Sequence, residues 1–396
     1  MCLILSELSN IIKCGLINLK ITLQGIMKNT RHKKLCNFSA IYNSCMEYSR
    51  KSTEIIYSDN PEDVLSPILR RYGAGKIFVA TESNVHDIWL RHSPFFGRYP
   101  AVVLPSGEDN KKLESVARIW EFLSTHGADR KSLLINVGGG MLTDLGGFAA
   151  STFKRGIDFI NIPTTLLSQV DASVGGKTGI NFLGLKNEIG TFCEPVAVLI
   201  STQFLKTLDK PNLISGFAEM IKHGLIFSRE HLNELRPLDP RTPDLEAYAI
   251  YIRHSVEIKE HFVLHDPKEK NIRKALNFGH TTGHALESLA MEKGLPVLHG
   301  YAVAWGMIAE LYLSHKICGF PGIIADELSE WMTGLYGKSD FGKNDYSRLF
   351  SLMQHDKKND ANRINFTLLE EPGKFIIDQH ADQELVYAAL DYLRAR

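Results

Sequence analysis

The sequence has no run approaching the ~18 apolar residues that a membrane-spanning helix needs, so no segment of it reads as a membrane anchor. It has no charge surplus either: 45 lysines and arginines balance 45 aspartates and glutamates. A general nucleic-acid binder carries a basic excess to neutralise phosphates, so this balance excludes that class while leaving room for a local basic pocket. Cysteine is sparse and unpatterned. Cys2, Cys14, Cys36, Cys45, Cys193 and Cys318 contain no C-x-x-C pair, which argues against a thiolate zinc site and against a disulfide framework. That usage fits a reducing cytoplasm. No internal repeat or low-complexity segment is visible.

What is present is an ordinary globular composition, 44% hydrophobic, in a chain of 396 residues that is long enough for two domains. Residues 1–50 differ from the rest. They hold scattered apolar residues and a basic cluster (Arg31, His32, Lys33, Lys34), without a strong period or a signal-peptide cleavage pattern. We expect either a poorly ordered extension or an upstream start, with Met27 or Met46 as the alternative first residue. Residues 51–204 then read as an α/β domain and 205–396 as a mainly helical one.

The chain is organised around Leu133–Gly190. An apolar run, Leu133–Val137, reads as a buried strand. Gly138, Gly139 and Gly140 follow, and then a helical pattern opened by Thr143 and Asp144. A strand, a glycine turn and a helix start together make an anion site, because backbone N–H groups and the helix dipole both favour a diphosphate. The turn is not a G-x-G-x-x-G fingerprint, and alone it reads equally well as a tight strand exit. A second strand, Asp158–Ile162, ends at Pro163-Thr164-Thr165, and a second glycine turn runs from Gly175 to Gly179. With Arg155, Lys177 and Lys186 between and around them, the two turns suggest two phosphorylated ligands.

Upstream, Gly75–Ala80 and Ala101–Leu104 read as strands, and Lys111–His126 as a helix with one apolar face. This alternation predicts a parallel, Rossmann-like sheet covered by helices, with ligands at the C-terminal strand ends. Downstream, Asn212–Phe227, Leu245–Leu264, Ile272–Lys293, Tyr301–Lys316 and Glu384–Arg394 carry helical spacing. Arg363–Leu369 and Lys374–Asp378 flank Glu371-Pro372-Gly373 as a small hairpin. His280 and His284 fall on one helix face, a spacing that suits zinc. Glu219 sits in an apolar helix, where an unpaired carboxylate costs several kcal/mol, so it needs a metal or a lysine.

The segments GGGMLTDLGGFAASTFKRG, IPTTLLSQVDASVGGKTGIN and LKNEIG, with FAEMIKHG, RKALNFGHTTGH and LHG beyond them, resemble the 3-dehydroquinate synthase family in order and spacing. The resemblance runs from about Ile55 to the C-terminus. It implies NAD and a divalent metal, Zn2+ or Co2+, as cofactors. It places NAD near Glu82, Asn84, Glu108, Lys111, Gly139, Gly140, Asp144, Thr164, Thr165, Lys177 and Lys186. It makes Glu219, His280 and His299 the metal ligands and turns His284 toward the substrate. Lys177, Lys222, Lys259, Arg273, Asn277, Asp171, Asn187 and either Lys357 or Lys358, with Lys357 chosen here, correspond to the substrate-binding positions. Arg155 corresponds to a phosphate contact that can reach across a homodimer.

The implied reaction converts 3-deoxy-D-arabino-heptulosonate 7-phosphate to 3-dehydroquinate and phosphate, with transient oxidation, elimination, reduction and aldol closure. Proton transfer is open among His284, Glu269 and the departing phosphate. The chain departs from the family pattern at Tyr301, where glutamate is common, at Phe153-Lys154 and at His223. Two rivals remain. A polyol dehydrogenase would accumulate NADH, and a non-catalytic NAD-binding regulator would dispense with the metal and lysine residues. Sugar phosphate cyclases acting on substrates without a carboxylate tend to change the positions of Arg273, Asn277, His284 and the Asp356-Lys357-Lys358 motif, all of which are retained here.

Overall fold

The computed structural model describes residues 53–73, 75–183, 185–354 and 364–396. Residues 1–50 and the Asp356-Lys357-Lys358 motif therefore lie outside the described residues. Thr53–Arg396 forms one compact unit.

Its first half is built on six parallel strands: β1 (Glu54–Tyr57), β2 (Ile77–Glu82), β3 (Ala101–Leu104), β4 (Leu133–Gly138), β5 (Asp158–Pro163) and β8 (Ala197–Ile200). They lie in the order β1-β8-β5-β4-β2-β3. Every residue of β2 and β4 is buried, as expected for central strands covered on both faces. Helix α1 (Pro61–Leu69) packs on one face, while α2 (Leu113–Thr125) and α3 (Gly140–Thr152) pack on the other. The chain places β3 on one side of β2 and β4 on the other. The C-terminal ends of β2 and β4 are thus a topological switch point, where open α/β sheets bind ligands. Helix α3 starts at Gly140, three residues before the expected start at Thr143.

The expected second phosphate turn is different in kind. Gly175 and Gly176 turn with positive φ, and Lys177 then opens an antiparallel hairpin, β6 (Lys177–Phe182) with β7 (Leu185–Phe192). No helix follows to point a dipole at an anion.

The second half is a helical body: α4 (Lys210–Phe227), α5 (Arg229–Leu235), α6 (Leu245–His265), α7 (His280–Glu292), α8 (His299–Leu313), α9 (Gly322–Tyr336), α10 (Tyr346–Gln354) and α11 (Gln383–Ala395). The hairpin β9 (Ile364–Glu371) with β10 (Lys374–Ala381) forms as the turn residues predict. Helices α4 and α8 are buried on nearly every face, so they form the centre of this body.

The expected helix Ile272–Lys293 breaks. Ile272–Asn277 forms a 3-10 turn, Gly279 sits at φ +79, and α7 begins at His280. The cause is a residue far along the chain. The buried Glu310 carboxylate on α8 accepts the N–H groups of Gly279 (2.6 Å) and Thr282 (3.0 Å), capping α7 at this point.

Candidate active site

Glycines on α8 bring the ligand-bearing helices together. A Cβ on Gly300 would lie 1.9 Å from the Ser215 carbonyl of α4, and one on Gly306 would lie 2.0 Å from the Gly279 carbonyl. Only hydrogen fits at either crossing. The first crossing places His299 beside Glu219, and the second places His280 beside both.

The result is a tight group. Nε2 of His280 and Nε2 of His299 each lie 3.5 Å from Oε1 of Glu219, and all three ligand atoms lie within 4.8 Å of one another. Glu219 is fully buried, and its Oε1 has no hydrogen-bond donor among the described residues. Burial alone would raise its pKa, but Lys222 and the two histidines hold it well below the usual carboxylate range. The His284 ring completes an aromatic cluster, 5.2 Å from His280 and 5.8 Å from His299. It is half-buried and is not part of the ligand group that contains Glu219.

Outer contacts aim the ligands. Nδ1 of His280 lies 3.2 Å from the Phe278 carbonyl, so it donates there and leaves Nε2 free to bind. Nδ1 of His299 lies 3.4 Å from Oε2 of the buried Glu287, whose other oxygen accepts from Lys186 at 2.6 Å. Burial pulls the His299 pKa down, but Glu219 and Glu287 outweigh it and raise the value to about 9. A carboxylate and two imidazoles, each imidazole with a supporting hydrogen bond, fit a zinc-type cation.

Lysines surround this group. Lys222, fully buried, pairs with Glu219, and Lys259 donates to the carboxylate of Asp171 at 2.7 Å. Burial opposes ionisation of Asp171, yet Lys259 keeps its pKa below the usual range. Lys177 pairs with Glu269, which also accepts from Asn277 Nδ2 at 2.7 Å. The Glu269 backbone has φ +54. Nearby, Asp266 accepts the N–H groups of Lys270, Asn271 and Arg273 and fixes the loop that carries Glu269.

Arg273 is 2% exposed. It donates to the Gly175 carbonyl and to the Pro267 carbonyl, both at 2.9 Å. It therefore fastens the glycine turn of the first half to the helical body. Lys177–Glu269, Lys186–Glu287 and Lys259–Asp171 make the same crossing.

At the sheet, Glu82 ends β2 and accepts the Gly139 N–H at 2.8 Å, which bridges the switch point. Burial raises its pKa. Thr164 N–H donates to the Gly138 carbonyl, and Gly140 opens α3. Lys111 bonds both Asp144 and Asn187 at 2.6 Å, and Asn181 ties Glu108 to the same network at 2.9 Å. Asn84 accepts from Ser106 at 2.6 Å, and Thr165 is hydrogen-bonded to Ser168.

Arg155 is not brought in. It is exposed, with φ +70, beyond the C-terminal end of α3, while the glycine turn lies at the other end. A 13-residue helix spans about 20 Å, so within one chain Arg155 stands apart from the cluster. Lys357 and Lys358 lie outside the described residues.

Sequence reasoning missed Glu287, Glu310 and Asp266. The argument applied to Glu219, an acid in an apolar helix needing a partner, would have singled out Glu287 and Glu310. Of the departures, Tyr301 packs edge-on against Tyr336 at 5.5 Å, and His223 on α4 is wholly buried, with neither ring nitrogen hydrogen-bonded among the described residues.

Residues 101–215 match the family described as 3-dehydroquinate synthase N-terminal, and residues 216–359 match 3-dehydroquinate synthase C-terminal. A 3-dehydroquinate synthase of Parabacteroides distasonis is 49% identical over 322 residues, covering 81% of this chain and 91% of the relative. One from Pyrococcus furiosus is 38% identical, covering 85% and 98%. Among solved structures, 2-epi-5-epi-valiolone synthase from Streptomyces hygroscopicus, with NAD+ and Zn2+ bound, superposes with a TM-score of 0.78 at 23% identity, covering 87% and 97%. A 2-deoxy-scyllo-inosose synthase complexed with carbaglucose-6-phosphate, NAD+ and Co2+ gives 0.73 at 23% identity, covering 85% and 95%. At that identity the two structures establish the shared fold.

Proposed function

The chain belongs to the 3-dehydroquinate synthase family, and from that premise we propose how its residues divide the work of the reaction. It is a carbon–oxygen lyase that converts 3-deoxy-D-arabino-heptulosonate 7-phosphate to 3-dehydroquinate and phosphate, a step in the shikimate route to aromatic amino acids. The observation that carries this reading is the convergence of Glu219, His280 and His299 on one point, ringed by lysines from both halves of the chain.

NAD is the cofactor of the sheet half, and Glu82, Asn84, Glu108, Lys111, Asp144 and the Gly139–Gly140 turn would hold it. When bound, it supplies a reversible hydride acceptor, so that oxidation and reduction cancel within one turnover. Glu219, His280 and His299 would hold zinc or cobalt, which supplies Lewis-acid polarisation of substrate oxygen. Lys177, Lys222, Lys259 and Asn277 bind the anionic ends of the substrate. Arg273 holds the Gly175 turn and offers its remaining guanidinium face to a carboxylate. Glu269, already linked to Lys177 and Asn277, and half-buried His284 are placed to move protons. Asp171 orients Lys259, and Asn187 orients Lys111. We assign Lys357 to the substrate as well.

The active form is a homodimer in the cytoplasm. Phe182, Leu183, Ile189 and Phe192 on β6–β7 are exposed apolar side chains that a second subunit would cover. Arg155, stranded in one chain, would reach the partner's phosphate site. No described helix is long and apolar enough to cross a membrane.

The test is phosphate release from the heptulosonate phosphate, followed together with absorbance at 340 nm. One phosphate per 3-dehydroquinate without net NADH supports the proposal. Steady NADH accumulation assigns the chain to the dehydrogenases instead.

A further inference from the structure

A second group of metal-type side chains lies on α5 and α6, separate from the Glu219 cluster. His231 is 2% exposed. Its Nε2 lies 3.1 Å from Ser255 Oγ, while its buried Nδ1 has no hydrogen-bond partner among the described residues. A ring that donates through Nε2 keeps the Nδ1 lone pair for a cation. That atom faces Oε2 of Glu234 at 3.9 Å, and Nδ1 of His254 faces the same oxygen at 3.5 Å. All three ligand atoms lie within 4.8 Å of one another.

Donors bound to tetrahedral zinc at about 2.0–2.1 Å stand about 3.3 Å apart. The observed separations are therefore slightly wide. A modest torsion of exposed Glu234 and half-buried His254 closes them, while buried His231 stays still. The group opens on a surface cavity of about 380 Å³ that Glu230 and Glu257 also line, with no lysine or arginine among the lining residues. Its field favours a cation. Burial, and then the neighbouring His254, lower the His231 pKa to about 4, so the ring is held neutral. By contrast, Asp171, Glu219 and His223 also come close together, but Lys222 and Lys259 already neutralise the acids there.

We propose that His231, Glu234 and His254 form a second divalent-cation site, suited to zinc, with water completing the shell. Two imidazoles and one carboxylate favour zinc over calcium or magnesium, which prefer all-oxygen shells. The cation would tie α5 to α6, and Ser228, which ends α4 and caps α5, makes that pair continuous with the helix carrying Glu219. The site is structural and takes no part in the reaction.

The experiment is metal analysis of full-length protein equilibrated in buffered micromolar free zinc and desalted. Wild type should hold about two ions per chain, His254→Ala and Glu234→Gln about one each, and His280→Ala about one. His254→Ala should keep wild-type phosphate release, and zinc should raise the Tm of His280→Ala but not of His280→Ala/His254→Ala. One ion in wild type, unchanged content in His254→Ala and Glu234→Gln, or filling only at millimolar zinc would overturn the proposal.

Discussion

The sheet half and the helical half solve the same problem, holding anions and a cofactor, by opposite means. At the switch point, the Gly139 N–H and the Glu82 carboxylate meet at adjacent strand ends, and the same half adds the buried Lys111–Asp144 pair. In the helical half they are ionised side chains buried in apolar helices, gathered from Glu219, His280 and His299 across 80 residues of chain. At the strand ends a lost side chain leaves the backbone donors in place. In the helical cluster each buried charge depends on its partners.

Glu219→Gln should expose that difference most strongly. We expect metal content at this site to vanish and phosphate release to fall by roughly a thousandfold or more, while NAD binding persists. Metal analysis beside NAD titration checks it, and wild-type turnover without metal would break the contrast. Next comes Arg273→Ala. Loss of the buried donor to the Gly175 and Pro267 carbonyls leaves both unpaired and should cost about 1–3 kcal/mol of stability for each as well as activity, measured by urea unfolding; Arg273→Lys should recover only part.

Glu82→Gln probes the other half. It should raise the Kd for NAD by roughly tenfold, the loss of one charged hydrogen bond, and leave metal content unchanged. Asp266 probes stability rather than ligand affinity: burial pushes its carboxyl up, but three backbone N–H bonds hold it below the usual range. The folded state therefore binds fewer protons than the unfolded one just below about pH 4. Its stabilisation is complete above that pH and is lost as pH falls. Asp266→Asn should cost about 1–3 kcal/mol at pH 7 and flatten the fall of stability below about pH 4, as read from denaturant midpoints.

The same contrast explains what could be read from the sequence. Strands β4 and β5, the glycine turn and the Ala101–Leu104 strand are contiguous signals, and they appear where the pattern places them. Strands β1 and β8 are not marked by the pattern, although β3 is no longer than either; β8 becomes a strand between β1 and β5, which it pairs with on either side. In the helical half, the apolar period continues across Gly279, so no local signal marks the break. Glu310, 31 residues on, makes it. Gly300 and Gly306 look like weak helix residues in sequence, and only the crossings with Ser215 and Gly279 show why nothing larger fits. Arg155 is expected at a phosphate, in its own chain or across a homodimer, and its own chain leaves it outside the site.

The most direct measurement is anomalous diffraction at the zinc edge from crystals grown with zinc and NAD. The account predicts a peak bounded by Glu219, His280 and His299, with the NAD diphosphate on the Gly139–Gly140 turn and the nicotinamide reaching toward the metal. A peak bounded by His280 and His284, with Glu219 turned away to Lys222 alone, would contradict it.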